Sequence, residues 1–248
     1  MTNVILSNQF EELRDFLNTL PRIFETSGTL LYSGRNCLRL FKVGNHDIVA
    51  KKFGNNTLKR LLSLFKTSKA KKSYRNGCAL CQLGINTPRP IGYIEITSRW
   101  GYIKEAYYIS DILDLPPIAD CYNDEVDFDN KIIADFACFV ARLHQSGILH
   151  RDLNSTNVRY KSTDNGDTEF HLIDINRMSF NPAETPLSPT ACFKNITRFS
   201  CDSAMFSFFV DKYLEARGWD KQYKNLALAL KKAHDKKVDR KKMIKRLI

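Results

Sequence analysis

The stretch His150-Arg151-Asp152-Leu153-Asn154-Ser155-Thr156-Asn157 places an Asn five positions after an Asp, and Asp174 stands seventeen residues further on. An aspartate so placed can accept the proton of an attacking hydroxyl, while an asparagine oxygen coordinates Mg²⁺. Asp174 ends the apolar run Phe170-His171-Leu172-Ile173, and a carboxylate at a strand end can hold the metal that bridges nucleotide phosphates. Phosphoryl transfer asks a protein mainly for positioning and charge neutralisation, so one base and two metal ligands make most of a minimal site. An isolated HxD is common by chance. H-R-D-L with Asn at this offset, followed by a hydrophobic strand ending in Asp, is not.

These residues need a scaffold, and the hydrophobic rhythm supplies one. Phe10, Leu13, Phe16, Leu17 and Leu20 predict an amphipathic helix ended by Pro21. From Thr29 the pattern shortens to strands at 30–32, 37–43 and 47–53, divided by turn residues. Residues 59–83 read as helix in two pieces stopped by Gly84, and 91–96 and 102–110 as two further strands. An acidic loop from Asp111 to Asp129 follows. Ile132, Ile133, Phe136, Val140 and Leu143 then share one helical face. Gly147 to Asn157 reads as loop, 158–161 and 169–173 as a hairpin, 181–200 as irregular, and 202–217 and 220–247 as helix. A strand-rich half therefore precedes a mainly helical one, with the boundary near Ser110.

Composition bounds the rest. The chain has 248 residues, enough for one large or two small domains, and 43% hydrophobic with 26% charged residues is ordinary globular usage. Disorder, collagen and coiled coil are excluded. No run of 18 apolar residues suggests a transmembrane helix, and the start lacks the basic region of a secretory signal. Seven Cys then read as free thiols in a reducing, cytoplasmic compartment. Cys78 and Cys81 form a CxxC with no second pair and no nearby His, so two thiols on a helix are expected rather than zinc.

Charge is unevenly placed. With 38 Lys and Arg against 27 Asp and Glu the net charge is +11, yet Lys51 to Ile94 holds ten basic residues and no acid. Lys231 to Ile248 adds nine basic residues against two acidic ones. Such clustering is a footprint for a polyanion: phosphorylated lipid, an anionic membrane surface or nucleic acid. No nucleic-acid-reading motif accompanies it, which makes nucleic acid the last of the three.

HRDLNSTN resembles the catalytic loop of the protein-kinase-like superfamily, and Ile173-Asp174-Ile175-Asn176 sits where that superfamily carries its metal-binding D-F-G. Ile48-Val49-Ala50-Lys51-Lys52-Phe53 is similar to the V-A-I-K strand, with Lys51 in register as the phosphate-pairing lysine and Lys52 the alternative. Alternation puts Val49, Lys51 and Phe53 on one face and Ala50 and Lys52 on the other. Gly34-Arg35-Asn36, Leu83 to Pro88, Tyr107 to Ser110 and Ile173 to Met178 look closest to the bacterial lipopolysaccharide-core kinases, the Kdo and heptose kinases.

The resemblance implies an α+β, bilobal protein-kinase-like fold. Its N-lobe is expected over 1–109, a five-stranded antiparallel sheet with a basic helical insert, and its C-lobe over 110–248. It further implies ATP and Mg²⁺, with Asp152 as base, Asn157 and Asp174 as metal ligands, and Lys51 and Ser110 at the nucleotide. The acceptor would be a sugar hydroxyl of a phosphorylated glycolipid, met at the inner face of the inner membrane through segments 51–94 and 231–248. His150 and Arg151 are expected to support the catalytic loop, Tyr107 and Tyr108 to line the nucleotide cleft or the core, and Trp100 to cap a turn.

Departures qualify the resemblance. There is no G-x-G-x-x-G and no A-P-E, although Ala183-Glu184-Thr185-Pro186 is nearby. The helix carboxylate that normally pairs the strand lysine has no candidate between Lys51 and Ile94; Arg75 stands about there, and Glu95 or Glu105 would have to substitute. Asn154 replaces the lysine that many Ser/Thr kinases carry two residues after the base. Only 74 residues follow Asp174, short for a peptide-docking platform, which favours a non-peptide acceptor. The alternatives are a small protein or antibiotic kinase of the same superfamily and a nucleotide- or membrane-binding pseudokinase.

Overall fold

Phe10, Leu13, Leu17 and Leu20 repeat at helical spacing, and all four are buried in the computed structural model, which describes residues 1–54, 67–122, 128–182 and 184–246. They lie on a 3-10 turn (Asn8–Leu13) that runs into α1 (Arg14–Ile23). Pro21 does not end this helix but sits in its last turn, where its missing N–H removes one bond only.

Strands β1 (Thr2–Leu6), β2 (Thr29–Ser33), β3 (Asn36–Val43), β4 (His46–Phe53), β5 (Pro90–Thr97) and β6 (Ile103–Asp111) form one antiparallel sheet in the order β1-β5-β6-β4-β3-β2. The sheet thus has six strands, not five. The added one is β1, whose register sets Leu6 opposite Gly92. A Cβ on Gly92 would stand 2.4 Å from the Ile5 carbonyl oxygen, so glycine is what lets the edge strand close on its neighbour.

One face of the sheet buries Ile48, Ala50, Ile94, Tyr107 and Ile109 against α1 and the preceding turn. The other packs Phe53, Tyr93, Ala106 and Tyr108 with Ala70 of α2 (Lys69–Gln82). Residues 59–66 of the helical stretch expected over 59–83 lie outside the described residues. Helix α2 starts at Ser68, whose hydroxyl accepts from Lys71 N–H, and ends before Gly84 at a φ of 67°.

The chain divides into two compact units, Met1–Asp114 with Asp174–Asn176, and Leu115–Ile173 with Arg177–Ile248. The expected division after Ile109 falls inside β6, which runs on to Asp111.

The second unit is built on α3 (Asn130–Gln145), capped by Asp129, whose carboxylate accepts from the Lys131 and Ile132 amides. Short β7 (Ile148–His150) pairs with β10 (Met178–Phe180), and β8 (Val158–Ser162) with β9 (Thr168–Leu172). Strand β7 lies in the stretch expected as loop, and α4 (Pro189–Ile196) in the one expected as irregular. Helix α5 (Ser203–Arg217) ends at left-handed Gly218, and α6 (Tyr223–Arg246) closes the chain. Phe136 of α3 packs on Phe199 and on Phe209 of α5 at ring-centroid distances of 5.2 and 5.5 Å, the centre of an aromatic core. Among the described residues no helix is long and apolar enough to cross a membrane.

The two basic segments behave less uniformly than their composition suggests. Lys51, Lys52 and Arg89 are each neutralised by an acid from outside the run Lys51 to Ile94, namely Asp174, Glu25 with Glu105, and Asp111. Lys59, Arg60 and Lys66 lie outside the described residues. In the tail Lys231 is buried, donating to the Phe199 carbonyl at 3.1 Å and to Asp235 at 3.0 Å. It anchors α6 rather than charging its surface. Lys232, Lys236, Lys237, Arg240, Lys241 and Lys242 are exposed.

Candidate active site

Strand β4 alternates its side chains across the sheet, and the alternation separates the two adjacent lysines. Lys52 points to the α1 face, over the rings of Phe24 and Tyr107, with its ammonium 2.8 Å from Glu25 and 3.2 Å from Glu105. Burial works against the Lys52 charge, but the Glu25 bond and the Glu105 carboxylate outweigh it and raise its pKa. Lys51 points to the opposite face and donates to Asp174 Oδ1 at 2.6 Å. Glu105 is therefore spent on Lys52 and does not substitute for the missing helix carboxylate. Lys51 is joined to Asp174 directly.

Asp174 has a φ of 53°, the one positive value at a non-glycine among the described residues. Aspartate tolerates this left-handed geometry better than most residues, and such strain concentrates where a side chain must be aimed. Its Oδ1 also accepts from Asn176 Nδ2 at 2.8 Å. The next residue, Ile175, is buried, and its carbonyl accepts from Asn76 Nδ2 of α2 at 2.7 Å. A Cβ on neighbouring Gly77 would come within 3.3 Å of Pro90, the Tyr108 hydroxyl and Ile175, so the helix packs closely here. A search for a carboxylate on α2 passes over Asn76, which holds the loop by its backbone; Arg75 beside it is exposed.

If Asp174 holds Mg²⁺ and Asn76 positions it through the Ile175 backbone, Asn76→Ala should raise the Mg²⁺ concentration needed for half-maximal activity about 10-fold, comparable to losing an outer-shell partner of a metal ligand. Activity at saturating Mg²⁺ should stay near the parent's. Rates measured across a Mg²⁺ titration, with a melting curve as control, check it.

The loop carrying Asp152 is fixed from several sides within the second unit. His150 is 1% exposed, receives the Asp152 N–H on Nδ1 at 3.2 Å and bonds the Ile173 carbonyl through Nε2 at 2.9 Å. That pattern selects the Nε2–H tautomer. Leu153 is buried beneath the loop. Asn154 Oδ1 takes the Thr156 hydroxyl at 2.7 Å and the Thr156 and Asn157 amides at 3.0 Å, so it folds the turn. Asn157 Nδ2 donates to the Asp152 carbonyl at 3.0 Å, which orients its Oδ1 the other way, and Asn157 O accepts from Ile173 N. Arg151 Nε donates to Ser179 on β10 at 3.2 Å, anchoring the segment after Asp174. The Asp152 carboxylate itself meets Arg177, Nη1 to Oδ2 at 3.3 Å.

Behind His150 a buried relay continues. The His150 carbonyl accepts from Asn195 Nδ2 at 2.8 Å, Asn195 Oδ1 faces His144 Nε2 at 3.0 Å, and His144 Nδ1 faces the Tyr213 hydroxyl at 2.8 Å. Burial pushes the His144 pKa down to about 4, with Arg217 acting in the same direction and the Asn195 bond opposing. An unfolded chain binds the proton near the ordinary value of 6.5, so protonation favours unfolding as pH falls from 6.5 towards 4. Above pH 6.5 the contribution is complete. Going from pH 7 to pH 5 should cost about 2 kcal/mol of stability through this residue. Denaturant melts of the parent and His144→Gln at both values isolate it, since the variant should lose that much less.

The remaining expected residues fall as follows. Ser110 is buried at the end of β6, paired with Val49 and Pro90 and donating to the Asp111 carbonyl at 3.1 Å. Tyr107 and Tyr108 are both core; the Tyr107 hydroxyl donates to Glu105, and burial followed by that bond pushes its pKa up. Trp100 is exposed, with the Arg99 guanidinium 4.8 Å over its ring. Cys78 and Cys81 are free thiols on α2, both raised by burial, so neither is an activated thiolate.

In one unit a strand lysine is paired to an aspartate that follows an apolar strand, and in the other the H-R-D loop is ordered around Asp152 by His150, Asn154 and Asn157. The structure is similar to that of WaaP in complex with acyl carrier protein, at a TM-score of 0.63 and 14% identity, over 95% of this chain and 98% of that one. Two structures of Rio2 kinase from Chaetomium thermophilum, one with ADP/Mg²⁺-phosphoaspartate, match at a TM-score of 0.48 with 16% and 17% identity. They cover 92% of this chain and 77% and 79% of theirs. No curated protein sequence matches. The profile of the lipopolysaccharide kinase (Kdo/WaaP) family matches residues 46–183, more than half of the chain. The chain belongs to that family and is a kinase of the lipopolysaccharide core.

Proposed function

We propose that this kinase transfers the γ-phosphoryl of ATP, with Mg²⁺, to a sugar hydroxyl of the core, on Kdo or heptose. The observation that supports it best is the 2.6 Å pair of Lys51 and Asp174, alongside the ordered loop of Asp152 and Asn157. Lys51 would exchange Asp174 for the nucleotide phosphates. Asn157 Oδ1 and the Asp174 carboxylate are hard oxygen donors that suit Mg²⁺, and the Asn157 side chain is held by its amide nitrogen, which leaves Oδ1 out of that bond. The metal would neutralise phosphate charge. Asp152 would take the proton of the acceptor hydroxyl, and Ser110 would lie at the nucleotide. The exposed basic residues from Lys232 to Lys242 on α6 suit an anionic membrane surface, at about 1 kcal/mol each near it, and a peripheral place on the inner face of the inner membrane.

The test is transfer of label from γ-labelled ATP to purified core glycolipid, with mass spectrometry to locate the phosphate. Labelled glycolipid, lost in Asp152→Ala, is the expected result. Label on protein alone would replace this reading with the protein-kinase alternative. ATP binding indifferent to Mg²⁺ and without turnover would replace it with the pseudokinase.

A further inference from the structure

We infer that Arg177 is a catalytic residue that stabilises the phosphoryl group in flight, supplying the cation that the position two residues after the base lacks; this rests on the kinase reading above. The position two residues after the base is Asn154, and its side-chain oxygen is consumed by the Thr156 hydroxyl and by the Thr156 and Asn157 amides. It shapes the turn and carries no charge. Arg151, also in the loop, points its Nε to Ser179. The cation at Asp152 is Arg177, with Nη1 3.3 Å from Oδ2, and it is exposed.

Geometry then limits what Arg177 can reach. A base must lie within about 3.2 Å of the hydroxyl it deprotonates. The Arg177 nitrogen, 3.3 Å from Oδ2 of that base, is thus no more than about 6.5 Å from an attacking oxygen that gives its proton to Oδ2. A phosphorus in line with that oxygen brings its equatorial oxygens within range of a planar guanidinium, whose fork suits them.

The step balances without a further reactant. The acceptor oxygen forms a bond to the γ-phosphorus as the bond to the β-phosphate oxygen breaks, and the electron pair leaves on ADP. The acceptor proton passes to Asp152. Once protonated, Asp152 no longer holds Arg177 as an ion pair, and the guanidinium, keeping its own protons, turns to the charge spread over the phosphoryl oxygens. Ground-state pairing with the base and transition-state pairing with phosphate are consecutive uses of one group.

The test is steady-state kinetics of Arg177→Ala and Arg177→Lys on core glycolipid, with binding of MgADP measured with and without aluminium fluoride as mimic of the transferring group. Arg177→Ala should lower kcat on the order of 100-fold with KM for ATP and glycolipid little changed. Arg177→Lys should recover about 10-fold of that loss, having the charge but not the fork. Fluoride should tighten MgADP binding to the parent and not to Arg177→Ala. A raised KM for glycolipid at unchanged kcat would overturn the proposal by making Arg177 an acceptor-binding residue, as would an alanine variant that keeps the fluoride effect. A parent protein without transfer or nucleotide binding would bring down the kinase reading first, and this proposal with it.

Discussion

Asp152→Ala is expected to lower phosphoryl transfer on the order of 1,000-fold while leaving the fold intact, within the range for loss of a positioned general base. The backbone of the loop does not depend on the carboxylate. Asp152 N–H bonds to His150, and its carbonyl receives Asn157 Nδ2 and the Asn154 amide. Only the Arg177 pair is lost, and with Arg177 about half exposed that pair contributes little to stability. Asp152→Asn is the sharper variant, because it keeps the shape of the side chain while removing its charge, and with it the ability to accept a proton and the Arg177 ion pair. Both should melt with the parent, and Asp152→Asn should still bind MgATP. Turnover of Asp152→Asn at even a tenth of the parental rate would remove the residue from the role of base.

Asp174→Asn is expected to have an effect as large, at least 1,000-fold on kcat/KM, by a different route. The carboxylate is at once the partner of Lys51 and a proposed ligand of the metal, so the amide removes charge from both. Lys51→Met should cost on the order of 100-fold by loss of the phosphate contact. The diagnostic is the double variant. Residues acting as one unit are not additive, so Lys51→Met with Asp174→Asn should be no slower than Asp174→Asn alone. Initial rates across ATP and Mg²⁺ concentrations for the three proteins check this. Fully multiplicative losses would show that the 2.6 Å pair is incidental to catalysis.

Much of the candidate site lies within short sequence spacings. H-R-D-L with Asn157, the apolar run before Asp174, and the alternation that separates Lys51 from Lys52 are all short-range patterns, and the structure arranges the lysines on opposite faces as alternation demands. What was not legible depends on contacts between distant positions. Asn76 and Ile175 are 99 residues apart, and nothing local marks an exposed-looking helical Asn as a backbone tether. Arg177 and Asp152 are 25 apart. Lys231 counts as surface charge in any composition, yet the Phe199 carbonyl and Asp235 take it into the core. Strand β1 escaped because an edge strand with one buried residue, Leu6, carries little alternation. The acid-free run from Lys51 to Ile94 promised a uniform basic face, but Lys51, Lys52 and Arg89 are paired with acids elsewhere in the chain.

The relay from Tyr213 through His144 and Asn195 to His150 has a consequence for spectroscopy. Of five histidines in the chain, these two are almost wholly shielded from solvent. An imidazole N–H enclosed in this way exchanges slowly with water and resonates far downfield of the amides. The ring protons of His144 and His150 should therefore be separate, assignable signals in a proton spectrum. The His150 signal would follow nucleotide or acceptor arriving at the loop it supports, without any label or probe attached.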